Sequence, residues 1–275
     1  RYRCLQNRIL NECPSAVFLG GDLLPHPMDM SWRKDSQHSD FIIDFLIPEF
    51  SSLQSKLGAR YPEIFLILGN DDPRANEPAL KTGQDQGLWE YIHGRKINWE
   101  GFSVMGYSCI PPSPFMLKDW ERYDVSRFVD PGCISPEEGG RTAGPRGREI
   151  RYATIAGELD DLAGRMGDFS RVILLSHCPP YKCNLDRAAL DGKMFDHAPV
   201  DVHIGSIAIQ RFIQQKQPHL TLHGHVHESR ALTGEWRDKF GSTTSLSAAN
   251  DSSALALVRF DPEKLTEATL ELFEP

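Results

Sequence analysis

The 275-residue sequence has no apolar run that approaches the roughly 20 residues of a membrane-spanning helix. It has no dense run of lysine and arginine either, and its formal net charge is −8. An acidic chain gains nothing from long-range attraction to nucleic acid or to an anionic membrane surface, so neither is favoured as a partner. The 40% of hydrophobic and 25% of charged residues are typical of a globular protein with a sizeable core.

Paired cysteine motifs are also absent. None of the six cysteines belongs to a C-x-x-C pair: Cys4, Cys13, Cys109, Cys133, Cys178 and Cys183. A chain of this length does not need disulfides to fold, so we expect reduced thiols. The sequence shows no recognisable signal peptide, although it opens on Arg1 rather than on methionine. These features predict a cytoplasmic protein. The alternative, a leader peptide removed from a longer precursor, stays open.

Four short apolar runs stop at polar turns and predict buried strands, at 16–19, 64–68, 172–175 and 219–222. Helical patterns separate these runs, at 1–11, 40–57, 153–166 and 204–215, with Pro48 interrupting the second. The alternation of strands and helices predicts a parallel, buried sheet. Further strands are predicted at 102–107, 245–248, 254–260 and 269–273.

The stretch 108–150 has a different character. Its second half, 131–150, holds five glycines and three prolines and predicts an irregular loop. Its first half holds four large side chains that are predicted either to cover a substrate or, as we favour, to pack as a flap: Lys118, Trp120, Arg122 and Tyr123. We find no internal repeat and no linker, so residues 1–275 are predicted to form one domain with an insertion or cap at 108–150.

Each of the four strand runs is followed by side chains that metals bind. They are Asp22, Asn70, His177 and the group His223, His225 and His227. The carboxyl ends of parallel strands converge at one edge of a sheet, where ligands collect. A divalent transition metal accepts imidazole and carboxylate together, and two neighbouring metals can hold a phosphate and stabilise its in-line displacement. The spacing therefore predicts a metal centre.

The histidines support this hypothesis, because four of the ten lie between His219 and His227. In an extended segment His223, His225 and His227 would point to one side, whereas in a turn they would fan out to different metals. Three imidazoles at alternate positions have few structural uses. The other candidate ligands have structural alternatives as turn residues, helix caps or hydrogen-bonded side chains.

Four motifs occur in order: Gly20-Gly21-Asp22, Gly69-Asn70-x-Asp72, His177 after an apolar strand, and Gly224-His225-Val226-His227. Over roughly residues 15–230 this series resembles that of the calcineurin-like metallophosphoesterases. The resemblance implies an α/β fold, a four-layer α/β/β/α sandwich of two mixed sheets flanked by helices. It also implies a hydrolase of phosphate monoesters or diesters that uses a hydroxide bridging two divalent metal ions, which would be Mn, Fe or Zn.

The resemblance assigns roles to individual residues. Asp22 would bridge both metals, Asn70, His177 and His225 would complete one metal site, and His227 would serve the other. The family begins with an Asp-x-His motif on a first strand, and this sequence has none before Asp22. The simplest hypothesis is that the first strand is missing from this sequence. The alternative is a site that binds only one metal well.

Asp71 stands where the family usually has a histidine that assists the leaving group or the transition state. A carboxylate beside cations stays ionised, so Asp71 would be a poor general acid and would repel phosphate. Asp71 and Asp22 are the candidate catalytic residues. His26 and His223 are candidate substrate-binding residues, either of which would assist the leaving group in place of Asp71. Arg74 is a candidate clamp for a phosphate oxygen, with a surface salt bridge as its alternative. The aspartate at position 71, in place of the family's histidine, favours activated esters or diesters as substrates.

Two other functions remain open. One is a non-catalytic phosphoesterase-like scaffold that binds proteins, which Asp71 and the missing first motif favour. The other is a different metallohydrolase that uses the H-x-H-x-H run on an amide or lactone, although the position of that run late in the chain argues against it. The predicted partner is a small phosphate-ester substrate. The natural substrate, the metal and the oligomeric state are not determined by the sequence.

Overall fold

The computed structural model describes residues 1–25 and 40–274. Its α-helices are α1 (Tyr2–Glu12), α2 (Ile47–Leu57), α3 (Glu77–Asp85), α4 (Arg148–Tyr152), α5 (Ile155–Ala163), α6 (Ile207–Lys216) and α7 (Ser229–Thr233). Its strands are β1 (Ala16–Gly20), β2 (Glu63–Ile67), β3 (Glu90–Tyr91), β4 (Lys96–Trp99), β5 (Phe102–Tyr107), β6 (Val172–Ser176), β7 (Met194–Phe195), β8 (Ala198–Pro199), β9 (Leu220–His223), β10 (Arg237–Phe240), β11 (Thr243–Ser247), β12 (Leu255–Arg259) and β13 (Thr269–Phe273). Within these described ranges no helix is long and apolar enough to cross a membrane.

Two sheets form the centre of the fold. The first has the strand order β1-β2-β3 and is parallel throughout. The second has the order β10-β11-β9-β6-β5-β4, in which the four central strands are parallel and the two edge strands are antiparallel to their neighbours. Strands β12 and β13 pair as an antiparallel hairpin, as do β7 and β8. The mixed character predicted for both sheets is therefore seen in the larger one only.

Alternate side chains of β2 face opposite layers. Ile64 and Leu66 belong to the core that contains the buried faces of α1, α2, α5 and α6. Phe65 and Ile67 belong to a second core, which they share with residues of the six-stranded sheet such as Leu175. The period of two in a strand produces this division, because successive side chains point to opposite faces. The two sheets thus pack on each other with helices outside, which confirms the predicted α/β sandwich.

The helix predicted at 40–57 begins as a π-helical turn, Ile42–Leu46, which continues into α2. The Asp40 carboxylate accepts hydrogen bonds from the backbone N–H groups of Ile42 (2.8 Å) and Ile43 (3.0 Å) and so caps its start. Pro48 lies in the first turn of α2, where its missing N–H leaves few hydrogen bonds unmade. The interruption predicted at Pro48 is thus a change of helix type just before it.

The stretch 108–147 is irregular, and four large side chains of its first half are packed into the domain. Lys118, Trp120, Arg122 and Tyr123 are at most 3% exposed. Arg122 Nε lies 2.7 Å from an oxygen of Glu158 in α5 and forms an ion pair with it. These contacts favour the packed flap over the alternative of a cover for the substrate, because the four side chains are held in the interior.

Candidate metal centre

The five predicted metal ligands come from both sheets. Asp22 follows β1 and Asn70 follows β2, which are neighbours in the three-stranded sheet. His177 follows β6, and His225 and His227 lie in the turn after β9, the neighbour of β6 in the six-stranded sheet. The carboxyl ends of parallel strands meet at one edge of a sheet. The site therefore lies where the carboxyl edges of the two sheets come together.

The structure brings the five side chains into contact. The Asp22 Oδ2 atom lies 3.3 Å from His177 Nε2 and 3.7 Å from His227 Nε2. The Asn70 Oδ1 atom lies 2.9 Å from His177 Nε2 and 2.7 Å from His225 Nδ1. Asp22 thus links His177 with His227, whereas Asn70 links His177 with His225. The five side chains therefore form one connected cluster.

The donor atoms suit a divalent transition metal in type and in spacing. One carboxylate, one amide oxygen and three imidazoles are ligands that Mn, Fe and Zn accept. Ligands bonded at about 2.1 Å to a tetrahedral ion lie about 3.4 Å from one another, close to the distances between these atoms. Within residues 1–25 and 40–274 no group of three His, Cys, Asp or Glu side chains alone is arranged to hold a metal. A metal at this site would therefore also need the amide oxygen of Asn70, and its binding would replace the hydrogen bonds described here.

Two of the candidate ligands have left-handed backbone conformations. The φ angle is 53° at Asp22 and 68° at His225. Residues other than glycine seldom adopt such angles, at a cost of order 1–3 kcal/mol, and they do so most often at functional sites. The turn after β1 also needs Gly21, whose φ is 99°. Aspartate and histidine are among the residues that adopt this conformation most readily, so it agrees both with a functional role for Asp22 and His225 and with the alternative of turn residues.

Neighbouring groups orient the donor atoms. His177 Nδ1 lies 2.7 Å from the carbonyl oxygen of Gly20, which can only accept, so Nδ1 carries a proton and Nε2 is the ring nitrogen that faces Asp22 and Asn70. The Asn70 amide nitrogen donates to Asp71 Oδ1 at 2.8 Å, which turns the amide oxygen towards the histidines. Such contacts around a metal centre set tautomers and ring orientations.

The electrostatics of the site separate its charged and neutral groups. Burial of Asp22 opposes its ionisation. The charge of His177 and hydrogen bonds from His177, His227 and the Asp71 N–H outweigh this effect of burial, so the pKa of Asp22 lies well below its usual range. Burial, together with the charge of His177, lowers the pKa of His225 to about 3. Asp22 is therefore an anion and His225 a neutral imidazole. These are the protonation states in which a carboxylate and a histidine bind metal.

Asp72 holds the loops that carry the candidate ligands, a role the sequence analysis did not predict. Its buried carboxylate accepts hydrogen bonds from the N–H groups of Gly69 (2.8 Å), Leu23 (3.0 Å) and Leu24 (2.8 Å). Its carbonyl oxygen accepts from Trp120 Nε1 at 2.7 Å. Burial and the charge of Asp22 raise the pKa of Asp72 to about 7. The only signal in the sequence was its place in the Gly-Asn-x-Asp motif.

Two candidate catalytic or substrate residues have different surroundings. Asp71 is exposed beside the site, and its backbone N–H donates to Asp22 Oδ1 at 2.9 Å. His223 is only 4% exposed. Its Nδ1 donates to the carbonyl oxygen of Cys178 at 3.0 Å, and its Nε2 accepts from the Thr221 hydroxyl at 2.8 Å. With both ring nitrogens engaged, His223 supports the fold, which corrects its prediction as a substrate contact.

Arg74 makes the salt bridge that was the alternative to a phosphate clamp. Its Nε lies 3.0 Å from Glu77 Oε2, and its guanidinium lies 4.7 Å from the ring centre of Trp120. These contacts hold the side chain against the 108–147 stretch and correct the predicted substrate role. His26, the remaining candidate for a substrate contact, lies outside the described residues.

A substitution at Gly69 should disturb the centre without removing any ligand. An alanine Cβ at this position would lie 2.5 Å from His177 Cε1 and would overlap Asp22 Oδ1. We expect Gly69→Ala to weaken Mn²⁺ binding at least about tenfold, because both ligands must move. Isothermal titration calorimetry measures this affinity. Gly167→Ala is the control, since among the described residues no heavy atom lies within 4 Å of its new Cβ. Equal affinities in the two variants would contradict the expectation.

No protein-family profile matches the chain, and no curated protein matches its sequence. Solved structures do match it. One crystal structure aligns over 99% of this chain and 93% of its own, with a TM-score of 0.56 and 18% sequence identity. The crystal structure of TT1561 of Thermus thermophilus aligns over 98% of this chain and 90% of its own, with a TM-score of 0.51 and 14% identity. At these identities the likeness establishes a shared fold over nearly the whole chain.

Proposed function

We propose that this protein is a metal-dependent hydrolase of phosphate esters. The observation that carries the proposal is the meeting of Asp22, Asn70, His177, His225 and His227 at the joint carboxyl edge of the two sheets, with donor atoms 2.7–3.7 Å apart. The order of these residues along the chain resembles the metallophosphoesterase series, and the sandwich fold is the one that this resemblance implies. A scaffold without activity would not need five metal-binding side chains in one place.

The chain's own residues have separate tasks in this proposal. His177, Asn70 and His225 would hold one ion and His227 a second, with Asp22 between them. Bound divalent ions supply Lewis acidity and a lowered pKa for water. The ionised Asp22 carboxylate offsets their charge, and the Gly20 carbonyl keeps His177 in the tautomer that presents Nε2. Asp72 keeps the loops after β1 and β2 at a fixed separation.

The exposed side of the centre indicates the class of phosphate ester. The His227 side chain is 48% exposed and Asp71 is exposed, whereas His177 is 1% exposed. A substrate therefore approaches past His227 and Asp71. A negative charge at Asp71 repels the two charges of a phosphomonoester about twice as strongly as the single charge of a diester. The site thus favours diesters. An activated leaving group departs without being protonated, so such a diester needs no general acid at the position of Asp71.

The proposal is tested by Mn²⁺-dependent hydrolysis of bis(p-nitrophenyl) phosphate and p-nitrophenyl phosphate by the full-length protein. We expect activity on both, with the diester preferred. His225→Ala should lower kcat/KM by about 100-fold or more, because a ligand is lost. His197→Ala is the matched control, since this exposed histidine lies in the β7–β8 turn. Absence of both activity and bound metal in the unmodified protein would contradict the proposal and leave the scaffold.

A further inference from the structure

The most exposed apolar side chains lie in two segments, 108–152 and the β7–β8 hairpin. Among the described residues nine large apolar side chains are exposed, and three of them, at 40–47% exposure, lie in other parts of the fold. The remaining six are 49–68% exposed, and we call them the apolar surface: Phe115, Met116, Phe128, Tyr152, Met194 and Phe195. Apolar residues exposed one at a time are ordinary, whereas a large group in one place marks an interaction site.

The apolar surface is gathered around one short segment, 132–140. The ring of Phe195 packs against Gly132, since a Cβ added there would lie 3.1 Å from Phe195 Cδ2. At the other end of the segment the Gly140 N–H donates to the carbonyl oxygen of Met116 at 2.8 Å. Phe195 and Met116 each have another member of the surface as the preceding residue in the chain. Four of the six side chains are therefore attached to this segment.

Glu137, in the middle of the same segment, holds the other two members. Its carboxylate pairs with Arg127 at 2.5 Å and with Arg151 at 2.9 Å. The next residues in the chain are Phe128 and Tyr152, so both side chains begin one residue away from these ion pairs. All six apolar side chains thus surround 132–140 and form one surface.

One side of the apolar surface borders the loop that carries Asp71. Trp120 Nε1 donates to the carbonyl oxygen of Asp72 at 2.7 Å, which ties the segment 108–152 to this loop. Met116 precedes Trp120 by four residues, and four residues of chain span at most about 14 Å. The surface therefore begins close to the exposed Asp71.

The other side of the apolar surface borders the turn that carries His227. The Ala189 N–H donates to Glu228 Oε1 at 3.1 Å, which ties the chain before the β7–β8 hairpin to this turn. Met194 follows Ala189 by five residues, a reach of at most about 18 Å. Asp71 and His227 are the exposed groups past which a substrate approaches the candidate centre. An occupant of the apolar surface therefore lies beside this entrance.

The size of the apolar surface indicates which occupant fits it. Six side chains of about 200 Å² each, half to two-thirds exposed, present roughly 700 Å². A small ligand would cover little of this area, and such ligands bind in cavities that enclose them. A stable protein partner needs about 800 Å² on each side, so it would extend over the entrance and block the centre. A lipid layer takes up apolar side chains at its headgroup boundary and leaves phosphate esters at the entrance.

The charges around the apolar surface suit phospholipid headgroups. Arg127 and Arg151 share the single carboxylate of Glu137, and residues 141–151 hold four arginines and one glutamate. Guanidinium groups form paired hydrogen bonds with phosphate oxygens. The formal charge of −8 on the whole chain opposes its approach to anionic lipids. Together these properties favour a zwitterionic phospholipid, because its phosphates attract arginine while its layer has no net charge.

We propose that the apolar surface docks on a layer of zwitterionic phospholipid, and that the substrate is a phosphodiester whose apolar chain lies in that layer. The second part rests on the proposed function. The six apolar side chains enter the acyl boundary, the arginines stay among the phosphates, and Asp71 and His227 face the headgroups. In the reaction the oxygen of water bonds to phosphorus, the bond from phosphorus to the leaving group breaks, and the protons of the water pass to solvent. The phosphomonoester that remains stays in the layer.

Docking is measured without chemistry, by flotation of the EDTA-treated full-length protein with phosphatidylcholine vesicles. We expect the protein to float with the vesicles. Phe115→Ser and Phe128→Ser should each lower the partition coefficient about tenfold, because each removes an aromatic side chain from the apolar phase. Leu272→Ser is the matched control, since Leu272 is 42% exposed on β13 and lies outside the apolar surface. All three side chains are exposed, so thermal unfolding should give similar Tm values.

The substrate is tested with two esters that share the p-nitrophenolate leaving group. Hexadecyl p-nitrophenyl phosphate is placed in phosphatidylcholine vesicles, and methyl p-nitrophenyl phosphate stays in solution. With Mn²⁺ we expect kcat/KM to be at least about tenfold higher for the hexadecyl ester, because docking raises its effective concentration at the centre. Phe128→Ser should lose most of this advantage. Equal values for the two esters would overturn the substrate. Hydrolysis of neither would contradict the proposed function and the substrate with it, whereas flotation decides the docking by itself.

The docking has its own contradicting results. Absence of the unmodified protein from the vesicle fraction would overturn it. So would equal partition of Phe115→Ser, Phe128→Ser and the unmodified protein, because another surface would then hold the lipid. Multi-angle light scattering tests a different occupant. A dimer that Phe128→Ser dissociates, in a protein that does not float, would assign the apolar surface to a second copy of the chain.

Discussion

Asp22→Asn is expected to lower kcat/KM for bis(p-nitrophenyl) phosphate by about 1,000-fold, equivalent to about 4 kcal/mol of transition-state stabilisation. Asp22 is the one candidate ligand whose carboxylate faces both His177, at 3.3 Å, and His227, at 3.7 Å. Asparagine has the same size and can still accept the Asp71 N–H, but it lacks the negative charge that offsets two cations. Both metal positions should therefore weaken together, which steady-state kinetics and metal content after gel filtration measure.

The control for this variant removes a carboxylate elsewhere. Asp161 is exposed on α5, and Asp161→Asn should leave both the kinetics and the metal content unchanged. The thermal unfolding of Asp22→Asn should stay close to that of the unmodified protein, which separates loss of the centre from loss of the fold. Full activity in Asp22→Asn would exclude this carboxylate from the chemistry and contradict the assignment of the site.

Lys118→Met is expected to lower the free energy of unfolding by about 3–5 kcal/mol, because it leaves a buried charge without its partner. Lys118 Nζ lies 2.6 Å from Glu121 Oε2, and the two side chains are 0% and 1% exposed. Lys118 also donates to the Ser113 carbonyl oxygen at 2.8 Å. Methionine keeps most of the length of the lysine stem, so lost packing contributes little. Urea denaturation at pH 7 measures the change.

The pH dependence of this variant should identify the cause. Burial raises the pKa of Glu121, although Lys118 and Ser113 partly oppose it. Without Lys118 that pKa rises further, so the folded state binds a proton more readily than the unfolded state. Stability then increases as the pH falls from 7 towards 5, and the deficit shrinks. The double variant Lys118→Met/Glu121→Leu should recover at least half of the loss. A double variant as unstable as the single one would assign the loss to packing.

Strands with a continuous apolar pattern were predicted well from the sequence. The structure has β5 at Phe102–Tyr107 and β13 at Thr269–Phe273, the bounds that the apolar pattern predicts. Edge strands such as β4, Lys96–Trp99, and β10, Arg237–Phe240, were missed. Their charged side chains interrupt the apolar pattern, as is usual at the edges of sheets. Helix α3 was missed too, since Gly83 lowers its helix propensity, while in the structure Gly83 packs against Trp89.

The side chains that could form a metal centre were predictable from the amino-acid pattern alone. Asp22, Asn70 and His177 lie one to three positions after the ends of β1, β2 and β6, and parallel strands place such residues at a common edge whatever their order in the sheet. This relation is local, because it needs only an apolar run and the turn that ends it. The type of ligand, the order of the motifs and a buried parallel sheet therefore followed from residues that are close together in the chain, whereas the sandwich of two sheets was implied by the resemblance to the metallophosphoesterases.

The contacts that each of these residues makes depend on how the chain folds in three dimensions. His223 binds the carbonyl oxygen of Cys178, which precedes it by 45 residues, while His225 two positions later faces Asn70. Asp72 joins two loops through Leu23, 49 residues away. Hydrogen bonds of this kind depend on where the fold places distant segments, and a change of one residue along a strand reverses the face to which a side chain points. The roles of these residues are therefore properties of the packed sandwich.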